Sequence, residues 1–201
     1  MKFVLIYDEL FYSKVILWIA IKRGDKMRLF HVSEKNNIEI FNPRLPSRND
    51  LDKSIGLVWA INEKCLPNFL TPRDCPRVTY HIGKNTSQND IAQYISSDTI
   101  SHVLIMENKW FEQMKNTTLY LYEFDVKSFE LQDEVAGYYV GKAPQIPIAK
   151  HILTDLFFEL FSRNVELRFV DNLWSIGDEI KQTSFDWSLC RMGFAQPRKS
   201  K

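Results

Sequence analysis

Glycine, cysteine and an excess of either charge are all scarce in this sequence. Of its 201 residues, 7 are glycine and 3 are cysteine, and 26 basic side chains balance 25 acidic ones. The chain contains no Walker loop, dinucleotide glycine fingerprint, serine-hydrolase elbow or HExxH motif. A nearly neutral chain also gives no electrostatic reason to expect a long nucleic-acid footprint. These absences exclude the enzyme classes that those motifs mark.

The three cysteines, Cys65, Cys75 and Cys190, are too few and too widely spaced for a disulfide framework. We interpret them as reduced thiols in a reducing compartment, and therefore expect a soluble, cytoplasmic protein. The spacing between Cys65 and Cys75, and between Cys75 and His81, matches no recognised zinc motif. We expect no metal site.

The sequence is rich in material for a hydrophobic core. It is 45% hydrophobic and contains 14 Phe, 8 Tyr and 5 Trp. Its length is that of a single domain, and its composition is that of ordinary globular proteins.

The first 26 residues differ from the rest. Residues 3–21 are mostly apolar, but Asp8, Glu9 and Lys14 interrupt them. Each charge near a bilayer centre costs about 2.5–3.5 kcal/mol, so we predict no membrane span. Three interpretations of residues 1–26 stay open: an element docked on the domain, a weak anchor, or an upstream extension.

We favour an N-terminal extension over residues 1–26, because a strand begins immediately at Met27. We expect a single domain over residues 27–196 and a basic tail over residues 197–201. Without the first 26 residues the chain has a net charge of −1, from 21 basic and 22 acidic side chains.

The hydrophobic pattern predicts an α+β domain of mixed or antiparallel strands with flanking helices. The predicted strands are 28–33, 38–41, 56–62, 77–82, 103–106, 118–124, 136–140 and 165–170. The predicted helices are 63–70, 87–96, 109–114, 151–161 and 171–182.

Two groups of residues are candidates for an anion site. His31 lies in the first strand with Ser33 as its near neighbour, and Arg44, Arg73 and Arg77 lie in or beside loops. The structural interpretation is a histidine bonded to backbone and arginines that close loops by ion pairing. The functional interpretation is a pocket for an anionic group, because guanidinium groups match phosphate and carboxylate geometry.

Cys75 stands between two arginines, which would lower the pKa of its thiol. A Cys75–His81 nucleophile pair is one interpretation, and a structural cysteine is the one we favour. Asp133 and Glu134 precede a strand, where neighbouring side chains point to opposite faces. We therefore do not expect them to form an acid–base pair.

Four segments carry a resemblance to a bacterial family known only as a domain of unknown function. They are LFHVSEKNNIEIFNPR, GLVWAINE, LTPRDCPRVTY and TLYLYEFD. The resemblance covers nearly all of residues 27–201, and it implies no activity.

The chain is also similar to ADP-ribosyltransferase-type folds, in its strand order and in the histidine of LFHVSE. That resemblance implies NAD as a ligand, with His31 and Ser33 on its ribose and Trp59 or Tyr139 stacked on a ring. It implies Glu134 as the residue that stabilises oxocarbenium charge. The chain departs from these folds in two respects. The tyrosine that they carry in the middle of the sequence is not in place, and Glu134 does not stand in their usual catalytic setting.

In the same resemblance, Arg73 or Arg77 would take a phosphate. The alternative is a non-catalytic interaction module, suggested by Trp110, Phe111 and Trp187. A deep pocket joining His31 to the two arginines would favour the ligand, and an exposed apolar patch would favour a protein partner. The sequence leaves the oligomeric state open.

Overall fold

A computed structural model describes residues 27–46 and 51–198 of the protein. The predicted extension over residues 1–26 lies outside the described residues. So do the last three residues of the predicted basic tail.

The described residues form ten strands and four short α-helices. The strands are β1 Leu29–Ser33, β2 Val58–Asn62, β3 Arg77–His81, β4 His102–Glu107, β5 Leu119–Phe124, β6 Glu130–Asp133, β7 Tyr138–Gly141, β8 Ala149–Leu153, β9 Val165–Val170 and β10 Asp186–Cys190. The helices are α1 Gln88–Tyr94, α2 Phe111–Asn116, α3 Leu156–Phe161 and α4 Trp174–Ile180. Short 3-10 helices are Leu66–Phe69, Asn108–Trp110, Val126–Ser128 and Met192–Phe194.

The strands make two sheets. The six-stranded sheet has the order β6-β7-β2-β1-β5-β8, and all its neighbours are antiparallel. The four-stranded sheet has the order β10-β3-β4-β9, in which only β4 and β9 run parallel. This confirms the predicted single α+β domain with mixed strands.

The main core joins one face of each sheet. Phe30 of β1 and Leu121 of β5 pack in the same buried cluster as Leu104 and Met106 of β4. A second cluster covers the far face of the four-stranded sheet, and a third covers the far face of the six-stranded sheet. Both faces of each sheet are therefore covered, which is why strands with two apolar faces are stable here.

The side chains of β5 lie on both faces of the six-stranded sheet. Leu119 and Leu121 belong to the main core, and Tyr122 and Phe124 belong to the cluster on the far face. The side chains of TLYLYEF alternate between these two clusters, because successive side chains of a strand point to opposite faces.

Two predicted elements were wrong. Residues 38–41 form no strand, and only Phe41 makes an isolated bridge, to Gln145. Residues 151–161 are not one helix, because β8 pairs with β5 as far as Leu153. Asp155 then caps α3, and its side chain accepts the N–H of Phe158.

Three further elements differ from the prediction. The helix predicted at 63–70 is the 3-10 turn Leu66–Phe69, and β6 and β10 were not predicted at all. The ordered contacts reach Arg198, whose guanidinium binds Asp178 and lies 4.2 Å from the Trp174 ring centre. No helix among the described residues is long and apolar enough to cross a membrane.

Candidate functional site: the fork between β1 and β2

The two central strands of the six-stranded sheet stop pairing halfway along. β1 pairs with β2 only through Leu29–Asn62 and Phe30–Ile61. Residues 31–33 of β1 continue to pair with β5, while residues 58–60 of β2 continue to pair with β7. We call this opening the fork; it is bounded by residues 31–33 and 58–60.

One other segment, residues 41–44, approaches the fork. Arg44 and Leu57 exchange backbone hydrogen bonds of 3.1 and 2.9 Å, which anchors Arg44 at the start of β2. The Phe41 ring lies 4.8 Å from the His31 ring, centre to centre. This bridged segment therefore lies beside His31.

His31 makes a side-chain bond across the fork. Its Nδ1 lies 3.0 Å from the Trp59 carbonyl oxygen. Because a carbonyl can only accept, Nδ1 donates, and a neutral ring then presents Nε2 as a bare acceptor. Burial holds the pKa of His31 below its usual value, the Trp59 bond opposes this, and the nearby charge of Arg44 adds to the lowering.

The sheet divides the predicted ligand residues between its faces. His31 and Tyr139 lie on the far face, His31 against Phe41 and Tyr139 packed against the cluster that contains Phe41. Ser33 shares the His31 face by alternation, and its Oγ accepts the N–H of Lys35.

Trp59 points to the other face, where it belongs to a chain of ring contacts. The Trp59 and Tyr138 rings are 5.4 Å apart, and the Tyr138 and Phe69 rings are 5.9 Å apart. Arg77 lies 5.3 Å from the Phe69 ring centre, so these contacts join Trp59 to Arg77 inside the domain.

The Arg77 guanidinium is engaged by backbone carbonyls. Arg77 is only 5% exposed, and its guanidinium donates to the carbonyls of Asn68 and Cys75. Arg73 is exposed, and its backbone N–H donates to the Glu34 carboxylate. No contact joins either arginine to His31 among the described residues.

Glu134 is also apart from His31. Its carboxylate pairs with Lys84 at 2.9 Å, and both side chains are largely exposed. This partner holds the pKa of Glu134 below its usual value. The described contacts therefore do not bring the two predicted catalytic residues together.

Residues 30–195 match the model of a family described as a family of unknown function, DUF6886. The chain belongs to this family. The match runs from β1 past the last 3-10 helix, so it includes the fork, and it confirms the predicted membership of a family of unknown function. No curated protein and no solved structure gives a significant match to the chain.

The cysteines of the DUF6886 domain are free thiols. Burial raises the pKa of Cys75 to about 12, against the opposing charge of Arg77. Removal from water outweighs the nearby arginine, which agrees with the favoured interpretation of Cys75 as a structural cysteine. Burial likewise raises the pKa of Cys65 to about 11.

Sequence reasoning missed two polar groups of the DUF6886 domain. One is a stacked pair of buried histidines, His81 and His102. The other is Glu123, which accepts bonds of 2.9 and 2.6 Å from Arg28 and lies 3.3 Å from His151. Local signals could not have found them, because each depends on which strands pair.

The DUF6886 domain also has a shallow depression, at the β6 edge. Its volume is about 150 Å³, and Ile55, Leu57, Leu131 and Val140 supply most of its apolar lining. It does not include His31 or the two arginines of the predicted pocket. Among the described residues, no group of three or more His, Cys, Asp or Glu could hold a metal ion.

Proposed function

We propose that the DUF6886 domain binds a small anionic ligand of the nucleotide class at the fork, with NAD as the first ligand to test. The observation that carries the proposal is the free acceptor Nε2 of His31 beside the charge of Arg44, where β1 and β2 no longer pair. Strands that part in this way leave backbone groups available to a ligand.

Each residue at the fork would have a distinct role. The bare Nε2 of His31 would accept a hydrogen bond from a ligand hydroxyl, such as that of a ribose. Arg44 would pair with a phosphate, and the Ser33 hydroxyl would donate to a second oxygen. Tyr139 would offer a ring face, while Trp59 would act through the carbonyl that orients His31.

The proposal is limited to binding. An ADP-ribosyltransferase-like reaction would need a carboxylate at the nicotinamide ribose, the role that the resemblance gives to Glu134. Glu134 is paired with Lys84 in solvent and is not joined to His31. Arg77 is similarly occupied by backbone carbonyls, so Arg44 takes the phosphate role in the proposal.

Thermal unfolding with NAD, ADP-ribose or AMP tests the fork. At ten times Kd the ligand would stabilise the domain by about 1.4 kcal/mol, which raises Tm by roughly 3–5 °C. His31→Asn keeps a donor for the Trp59 carbonyl and removes the acceptor, so it should abolish the shift. Arg44→Gln should do the same.

Arg73→Gln is the matched control, because Arg73 is an exposed arginine outside the fork. It should keep the full shift. The proposal fails if none of the three ligands raises Tm at millimolar concentration, or if Arg73→Gln and Arg44→Gln behave alike.

A second candidate function is protein interaction at β8, an edge of the six-stranded sheet. Ile146 and Ile148 just before β8 and Ile152 within it share alternate positions with Lys150, and they are 70%, 65% and 59% exposed. Lys150, the charge that would protect this edge, donates to the Asn36 carbonyl and lies over Tyr120. An exposed apolar edge strand is a template for pairing with another chain.

The partner that this pattern fits is a second copy of the chain. An antiparallel pair centred on Ala149 would place Ile146 opposite the partner copy's Ile152, and Ile148 opposite its Lys150. Both contacts then repeat about a two-fold axis, as a symmetric dimer requires. Of the aromatic side chains predicted for an interaction surface, Phe111 and Trp187 are 43% and 40% exposed, and Trp110 is half-buried.

Sedimentation analysis tests the dimer. The wild-type domain should show a concentration-dependent dimer, and Ile148→Lys should abolish it. Leu131→Lys on the opposite edge, at a residue that is 54% exposed, is the matched control and should leave it intact. A wild-type protein that stays monomeric at its highest soluble concentration contradicts this candidate function.

The expected cytoplasmic location is also part of the proposal. It is supported by the free thiols of Cys65, Cys75 and Cys190, since reduced cysteines are typical of reducing compartments.

A further inference from the structure

Two buried histidines meet at one end of the four-stranded sheet. His81 closes β3, His102 opens β4, and the two residues are direct partners in the antiparallel ladder. Their ring centres are 4.7 Å apart with 30° between the planes, and the residues are 3% and 5% exposed. Stacked rings direct their lone pairs side by side, so the pair is not arranged to converge on one metal ion.

The bonds around His102 define its neutral form. Its Nδ1 lies 3.0 Å from the Ser101 hydroxyl oxygen, and that hydroxyl donates to the Arg163 carbonyl. Nδ1 therefore donates to Ser101, and Nε2 is a bare acceptor. The backbone of Lys64 approaches His102, but no well-formed hydrogen bond reaches the Nε2 of either histidine among the described residues.

The charges that face the pair come from both sheets. Asp186 of β10 has an oxygen 3.6 Å from His81 Nε2 and favours a proton there. The ammonium of Lys64, in the turn after β2, opposes a proton on both rings, and a charge on His81 opposes one on His102, whereas the Lys64 backbone favours a proton on His102. His102 also lies opposite Val165 of β9, which carries no charge.

The turn after β2 contains a cysteine whose exposure can be measured by labelling. Cys65 follows Lys64, is 1% exposed, and belongs to the main core cluster together with Leu104 and Met106 of β4. This turn therefore packs in the same core as β4, the strand that begins at His102.

We propose that His81 and His102 form an acid-sensitive joint between the two sheets. A proton on either ring puts a charge in a buried stack beside Lys64, which favours separation of the Lys64–Cys65 turn from the four-stranded sheet. The opened joint exposes both imidazoles to water and uncovers the Cys65 thiol. Above the ordinary imidazole range, the joint stays closed.

The direction of the pH effect follows from the two states. Burial lowers the pKa of His81, and it lowers the pKa of His102 to about 3, whereas the open rings regain a pKa near 6.5. Acid therefore favours the open state below pH 6.5. The opening equilibrium should rise about tenfold per pH unit for each histidine.

The test measures labelling of Cys65 by a pyridyl disulfide, which reacts with thiols in acid, with peptide mass spectrometry to separate the cysteines. Between pH 7.5 and 5.5, labelling of Cys65 should rise at least tenfold. Cys75, which is 0% exposed and lies in another loop, should stay protected. His102→Gln and His81→Gln, which cannot be protonated, should each reduce the rise.

His151→Gln is the matched control, because His151 is more exposed and lies on the other sheet. It should retain the acid response. The joint is refuted if Cys65 labelling does not rise in acid, if Cys75 becomes labelled in parallel, or if both folded glutamine variants keep the wild-type response. Protection of Cys75 at pH 7.5 shows that a variant has folded.

Discussion

Among single residues, three buried histidines are neutral for related reasons. His31 is neutral because it is buried near Arg44, and its tautomer is set by the Trp59 carbonyl. His81 and His102 are neutral because they are buried against each other and near Lys64. A proton on any of the three rings would place a charge in a site removed from water, which is the main cause of the lowered pKa values.

Global stability should therefore fall as the solution becomes acidic. The folded pKa values of these three histidines lie below the unfolded value of about 6.5, so the unfolded state binds more protons below that pH. The stability contribution is complete above pH 6.5 and is lost below it, by up to about 1.4 kcal/mol per pH unit for each histidine.

Urea unfolding at pH 7.5, 6.5 and 5.5 measures this loss. His31→Asn should make the dependence shallower, and His151→Gln should have little effect on it. A free energy of unfolding that stays level or rises between pH 6.5 and 5.5 would contradict the assignment of neutral buried rings.

The arrangement of some of these residues could be predicted from the sequence, and that of others could not. His31 and Ser33 are adjacent positions on one strand face, and alternation within a strand is a local property. The partners of Glu134 and His81 come from distant parts of the chain, Lys84 and His102. Such contacts depend on strand pairing, which no local pattern specifies.

At the scale of elements, β1, β2, β3, β5 and β9 could be predicted because apolar or alternating residues mark them. The helix predicted over residues 151–161 was too long, because the apolar residues between 152 and 161 also fit a helical period. Ile152 is nevertheless 59% exposed and pairs with Tyr120 of β5. β6 has little buried apolar surface, so its sequence carries no strand signal.

Asp155→Ala distinguishes the observed α3 from the longer predicted helix. As an N-cap, Asp155 accepts the Phe158 N–H at 2.9 Å, so its loss should cost about 1 kcal/mol of stability. Inside a helix that began at residue 151, the same change would stabilise, because alanine has the higher helix propensity.

Urea unfolding at neutral pH shows whether Asp155→Ala lowers or raises the free energy of unfolding. Ser87→Ala is the positive control, since Ser87 caps α1 by accepting the Asp90 N–H. A stabilised Asp155→Ala protein would contradict the observed boundary between β8 and α3.

At the scale of the whole molecule, two sheets share one core, and the fork lies within the larger sheet. The α+β class could be predicted, because it follows from the mixture of strands and helices. The division into two sheets could not, because β10 joins β3 across more than a hundred residues. The fork is likewise a property of the assembled sheet, since β1 and β2 each complete their pairing with a different neighbour.

The most direct test of the fork is the imidazole nitrogen spectrum of His31, assigned by its loss in His31→Asn. At pH 7.5 we expect a protonated Nδ1 and a bare Nε2. NAD, ADP-ribose or AMP should shift the Nε2 signal. A bare Nδ1, or an Nε2 signal that none of the three ligands moves at millimolar concentration, would contradict a ligand site at the fork.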